Sequence, residues 1–371
     1  MKDERIVKLA HNLLNYSCKL QKGQSIIIEA SVHAKDLVKE LVRQTYQIGA
    51  YPFVRLSDGE ISREIMLGMT ETQAKKTCEY TLPLFEGASA YIGISSPNNK
   101  FESSDVPDDK KQIYSKFYGK PVHMDTRVCK TNWVILNYPN PALAQLAQMP
   151  SEVFEDFFFD VCTLDYSKMD KAMQNLKKLM EKTDKVHLVA KDTDLTFSIK
   201  GQPAVICSGS CNIPDGEIYT SPLKTSINGK IHFNIPSLHK GIIHDDIILE
   251  FKDGKVIKES SSHTAELTAE LNVDEGARYV GEFSFGVNPY ITKPMYDTLF
   301  DEKISGSIHM ALGNAYDDAP NGNHSQNHWD IVLSMRPEYN GGQIYFDDVL
   351  IRDNGLFVLP ELKCLNPENL K

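Results

Sequence analysis

The chain has 371 residues, 41% of them hydrophobic and 24% charged, and a formal net charge of −10. That length exceeds what one hydrophobic core usually sustains, so two domains are expected, and the composition argues against large-scale disorder. The acidic balance, with no basic stripe, argues against a nucleic-acid partner. The start, Met1-Lys2-Asp3-Glu4-Arg5, is charged where a leader would be apolar, and no run nears the roughly 18 apolar residues that span a bilayer, so no membrane association is expected. Seven scattered cysteines, an odd number, fit reduced thiols and a cytoplasmic location better than a disulfide framework. Cys207 and Cys211 have a spacing that zinc could use, but no second pair follows, so they read as structural.

In chain order, the first half alternates strand-like and helix-like segments. Ser25–Glu29 is a short apolar run after Gly23. Ala34–Ile48 carries Leu37, Leu41, Val42 and Tyr46 near helical period and stops at Gly49, and Tyr51–Leu56 resumes as a strand. Glu71–Phe85 predicts a helix, Ala88–Ile94 and Trp133–Leu136 predict strands, and Tyr166–Lys182 predicts a helix with a basic last turn. This rhythm is that of a parallel sheet. No glycine-rich phosphate loop follows any strand, so no nucleotide signature is present. From about Lys185 the runs become short and rich in β-branched and aromatic residues: Val186–Ala190, Leu195–Ile199 and Ile247–Phe251. The turn signals Lys252–Lys255 and Asn228-Gly229 separate them. The expectation is an α/β domain over 1–184 with a largely parallel sheet, then an α+β domain over 185–371 rich in antiparallel strands.

Four segments of the second half collect metal-binding chemistry. In Pro214–Thr220 a Pro-Asp-Gly turn feeds a strand beginning at Glu217. In Val280–Phe285, read as a strand, Phe283 and Phe285 share one face while Glu282 and Ser284 share the other, pointing to solvent or into a polar cavity. In Ser305–Tyr316, Ile308, Met310 and Leu312 form an apolar face with His309 opposite. In His328–Leu333, His328 and Asp330 share a face, and Trp329, Ile331 and Leu333 share the other. Singly, a strand glutamate is usually solvated and a histidine usually a satisfied core or surface residue. Together they match a mixed nitrogen and oxygen site for Zn, Co or Mn.

These segments resemble the thermophilic aminopeptidase family, the metallopeptidases typified by aminopeptidase T and aminopeptidase S. The resemblance rests on Pro214–Pro222, Gly281-Glu282, Leu299–Glu302 leading to His309–Tyr316, and His328-Trp329-Asp330, in that order, and it runs from about Asp192 to the C-terminus. It implies an aminopeptidase acting on peptides with a free N-terminus, two divalent metal ions (Zn, Co or Mn), and a homodimer. It also implies that Glu217, Glu282, His309, Tyr316, His328 and Asp330 are metal ligands, with Glu282 bridging both ions. Glu217, Glu282 and Tyr316 are the candidate catalytic residues, Tyr316 either as a ligand or as a donor to the oxyanion. Two departures stand out: a short segment between His309 and His328, and Ser221 where alanine is common. A dipeptidase or amidohydrolase using the same ligands, or a non-catalytic metal-dependent binding protein, are the competing readings.

Overall fold

The computed structural model describes residues 3–371; Met1 and Lys2 of the charged start lie outside the described residues. The chain forms two compact units, Met1–Thr163 with Gly209–Ile213, and Leu164–Ser208 with Pro214–Lys371. Among the described residues, no helix is long and apolar enough to cross a membrane.

The first unit is built on an all-parallel sheet ordered Tyr51–Ser57, Ser25–Ser31, Ala90–Ser95, Asn132–Asn137 and Asn212–Ile213. Ile26, Ile27 and Ile28 are all fully buried, as a strand covered on both faces requires. The helix Lys35–Ile48 buries Leu37, Val38 and Leu41 and ends where Gly49 turns left-handed at φ +82°. Thr70 caps the helix Glu71–Glu86 by accepting from the Gln73 N–H. Residues Asp108–Tyr114 and Ser115–Val128 are also helical, and in the latter the breakers Gly119 and Pro121 conceal the pattern from periodicity.

The second unit opens with the helix Tyr166–Met180 and then two main antiparallel sheets. One has eight strands, ordered Lys255–Ser260, Ile247–Lys252, Asn228–Phe233, Thr193–Ser198, Lys185–Ala190, Gly342–Phe346, Val349–Asp353 and Leu356–Phe357. The other has five: His328–Ser334, Ser307–Gly313, Val280–Gly286, Glu217–Thr220 and Val205–Cys207. A parallel α/β sheet followed by antiparallel α+β structure is the expected fold class. One expected turn is a strand start. Asn228-Gly229 begins a strand, because Gly229 at φ +117° lets the backbone press against Asp194, whose carbonyl oxygen would lie 2.1 Å from an added Cβ.

Phenylalanines join the two main sheets. Phe283 meets Phe197 at 4.9 Å between ring centroids, and Phe285 meets Phe346 at 6.0 Å and Phe357 at 5.9 Å. The buried Arg352 lies over the Phe285 and Phe357 rings and donates to the carbonyls of Ser307, Gly286 and Gly355. With the apolar face of the Val280–Gly286 strand committed to this core, its alternate residues must point the other way.

Candidate metal centre

That other face carries Glu282. A bulge at Gly281 shifts the register between Val280 and Glu282, and the position tolerates only glycine, since an added Cβ would lie 2.3 Å from the Asn314 carbonyl oxygen. Beyond the bulge, Glu282 pairs with Ala311 and Ala311 with Asp330, so a small residue on the central strand separates two carboxylates on the strands flanking it. On the other side Glu217 pairs with Gly286, and the Ser284 hydroxyl lies 3.3 Å from Glu217 Oε2. Glu217, Glu282 and His309 come from three successive strands and His328 and Asp330 from a fourth, and antiparallel register brings them to one place.

Both histidines are held the same way. The Nδ1 of His309 lies 3.1 Å from the Glu302 carbonyl oxygen, and that of His328 lies 2.8 Å from the Asn314 carbonyl oxygen. A carbonyl only accepts, so Nδ1 carries the hydrogen in each ring and Nε2 faces inward. His309 Nε2 then meets Glu282 Oε1 at 3.1 Å and Glu217 Oε2 at 3.2 Å. His328 Nε2 lies 3.4 Å from Asp330 Oδ1 and 3.6 Å from Glu282 Oε2. An Nε2 lone pair against carboxylates is repulsive unless a cation lies between them, either a proton or a metal ion. An imidazole whose far nitrogen is fixed by a backbone carbonyl is the usual support of a metal ligand. The residues fit a divalent ion.

Sequence reasoning left two members without a role. Glu302 lies in one of the motifs without a ligand role there, and Lys303 lies just outside it. Both follow the four-residue helix Thr298–Asp301, where no periodicity advertises them. The buried Asp301 shapes this turn by accepting from the Met295 N–H at 2.6 Å and the Asp297 N–H at 3.2 Å. Lys303 is 0% exposed; its Nζ donates to Glu217 Oε1 at 2.9 Å and to Glu302 Oε1. The ligand atoms fall into two triads, Glu217–Glu302–His309 and Glu282–His328–Asp330, each lying within 4.8 Å of one another.

The electrostatics follow from burial and imbalance. Burial pushes Glu302 up to about 8 and also raises Glu282. Burial acts the same way on Glu217, but Lys303 and His309 outweigh it and hold that carboxyl at about 2. Asp330 is likewise kept well below the usual carboxylate range by His328, against its burial. Burial disfavours charge on the histidines, yet the surrounding carboxylates raise His309 well above its ordinary value and His328 to about 10. Lys303 is raised as well, Glu217 and Glu302 more than offsetting its burial.

Tyr316 is 45% exposed and lays its ring 4.4 Å from that of His328 and 5.8 Å from that of Tyr219. Burial and the nearby carboxylates raise its phenol, so it stays protonated. The short segment after Gly313 is well anchored. Tyr219 donates to Asp318 at 2.7 Å, Asn321 donates to the Pro222 and Val280 carbonyls, and Ser221 Oγ lies 2.5 Å from the carbonyl oxygens of both Gly281 and Ala319. The serine at the unusual position thus ties this segment to the Glu282 strand. Among the described residues no disulfide joins the seven cysteines. Cys207 approaches Asp215 and Glu217, but burial pushes its thiol well up, which keeps it protonated and a poor ligand.

Known proteins share this arrangement of chain and fold. The sequence model of the thermophilic metalloprotease (M29) family matches residues 2–357. Aminopeptidase AmpS of Bacillus subtilis is 26% identical over 348 residues, covering 80% of this chain and 81% of the relative. Aminopeptidase T of Thermus thermophilus is 25% identical over 352 residues, covering 84% and 85% respectively. The solved structure of wild-type AmpT from Thermus thermophilus superposes with a TM-score of 0.81 at 20% identity, over 96% of this chain and 99% of that one.

Proposed function

The chain belongs to the thermophilic metalloprotease (M29) family and is a metal-dependent aminopeptidase, and on that premise we propose that Glu217, Glu282, Glu302, His309, His328 and Asp330 hold two divalent ions, Zn, Co or Mn. Its substrates are peptides. The observation that carries the assignment is the pair of histidines whose Nδ1 atoms are fixed by backbone carbonyls while Nε2 faces buried carboxylates. Glu282 contacts both histidines, which suits it to be the carboxylate shared by the two ions. Catalysis falls in this reading to a domain spanning 185–371, after an α/β domain over 1–184; the helix Tyr166–Met180 at the end of that first span groups with the catalytic unit. A cytoplasmic location and a homodimer complete the proposal.

When bound, such ions supply Lewis acidity toward the scissile carbonyl and acidify a water molecule. The protein's own groups do the positioning. Glu217 and Glu282, at 3.2 and 3.1 Å from His309 Nε2, line the site with carboxylate oxygens. The carbonyls of Glu302 and Asn314 keep both imidazoles in one tautomer. Tyr316, protonated and beside His328, is placed either to ligate or to donate to the oxyanion that develops on the peptide carbonyl. An acidic site also favours a substrate end that carries an amine over one that is blocked.

The test compares a leucyl peptide with its acetylated twin, each incubated with purified protein that has been chelated and then reloaded with Zn, Co or Mn. Stepwise release of N-terminal residues from the unblocked peptide alone, only after reloading, is the expected result. Internal cleavage of the acetylated peptide, or full activity in excess chelator, would overturn the reading.

A further inference from the structure

Lys303 has no place in a simple pair of equivalent metal sites. It is among the largest fully buried side chains of the molecule, and its ammonium contacts Glu217 and Glu302, two of the three members of one triad. The other triad is different. Among the described residues, the ion pairs of Glu282 and Asp330 are with His309 and His328. A lysine ammonium is a compact point charge with three donors, and here it is tethered to the residue next to Glu302, so it cannot diffuse away. A divalent ion entering the Glu217–Glu302–His309 triad must displace this ammonium from one or both carboxylates or sit beside it. Either course weakens binding: displacement strands a buried cation, and coexistence sets like charges together at short range.

We propose that Lys303 is a built-in counter-ion that makes the two halves of the centre unequal. Resting on the two-ion reading above, the Glu282–His328–Asp330 half takes its ion tightly and the Glu217–Glu302–His309 half takes its ion weakly. The same ammonium neutralises carboxylate charge when the weak half is empty, so it also protects the fold against metal loss. Lys303 is therefore a positioning residue that sets metal stoichiometry.

Titration of the chelator-stripped, full-length protein with Co(II), followed by calorimetry and by visible absorption, tests this. The wild type should take one tight equivalent and a second that is weaker by on the order of 10–100-fold, the usual scale for a residue acting through metal ligands. In Lys303→Met the second equivalent should tighten by a similar factor while the first is unchanged. Stripping the metal should lower the melting temperature of Lys303→Met more than that of the wild type. Should Lys303→Met not fold, Lys303→Gln, neutral but still able to donate to both carboxylates, carries the same expectation. Two equally tight equivalents in an active wild type, or a second constant untouched by the substitution, would overturn this inference alone. No uptake of Co(II) by an inactive protein would instead overturn the metal-site reading beneath it.

Discussion

The two units place charge on their sheets in opposite ways. In the first, Glu29 meets Arg55 at 2.7 Å and accepts from the Tyr91 hydroxyl at 2.8 Å, while Arg127 stacks over Tyr91 and Trp133. Here an acid meets a base, and both remain partly open to water, 22% and 36% exposed. In the second unit, Glu217, Glu282, Glu302 and Asp330 converge on two histidines and Lys303, all with side chains less than a fifth exposed. Balanced and wet charge is what a sheet surface tolerates as structure. Unbalanced and dry charge costs the fold stability, and its persistence marks a place built for a cation.

The largest effect that should separate the two regions comes from Glu282→Ala. It contacts both histidines, so its loss should reduce aminopeptidase turnover to that of chelator-treated enzyme, more than loss of any one other ligand. Melting should be retained, because Phe283 and Phe285 still fill the core. Near-normal turnover in Glu282→Ala alongside a dead His328→Ala would remove Glu282 from the shared position. Next in size is Tyr316→Phe. As an oxyanion donor its removal should lower kcat by on the order of a hundredfold with bound metal unchanged. A fall in metal content by elemental analysis would make it a ligand instead.

How much of this could be read from the sequence follows the same division. Alternation within single strands was legible: Phe283 and Phe285 against Glu282, and Trp329 against His328 and Asp330, fall on the faces that period two assigns. Convergence was not, since Lys303 and Glu217 stand 86 positions apart and meet only through the turn that Asp301 organises. Of the two surroundings expected for Glu282, solvent or a polar cavity, burial excludes solvent, and the neighbouring Ser307–Gly313 strand is buried on both faces. His309 and Glu282 are thus each other's environment. In the first unit, Gly119 and Pro121 interrupt any helical pattern in Ser115–Val128, so that helical segment had no local signal.

A third effect is about tenfold per pH unit for each proton displaced. His309 and His328 are raised above the ordinary imidazole value, the latter to about 10, so near neutrality Nε2 of each carries a proton that a metal ion must replace. Affinity for the divalent ion should therefore rise with pH, falling as the medium becomes acidic. Calorimetry in buffers of different ionisation enthalpy counts the protons released. Binding without proton release would show that neither histidine is a ligand.

The smallest effect belongs to the balanced region and is the control on the whole contrast. Glu29→Gln keeps the shape of the side chain and an oxygen for the Tyr91 hydroxyl, but removes the charge that Arg55 pairs with. Because both partners are partly exposed, water replaces most of what is lost, and the cost should be about 1 kcal/mol or less. Urea unfolding should show a slightly lower midpoint with an unchanged slope, and turnover per folded molecule and Co(II) uptake should match the wild type. A loss of metal or of activity in Glu29→Gln would mean that the charges of the parallel sheet serve catalysis as well. Charge that holds a fold and charge that holds an ion would then not divide between the two units.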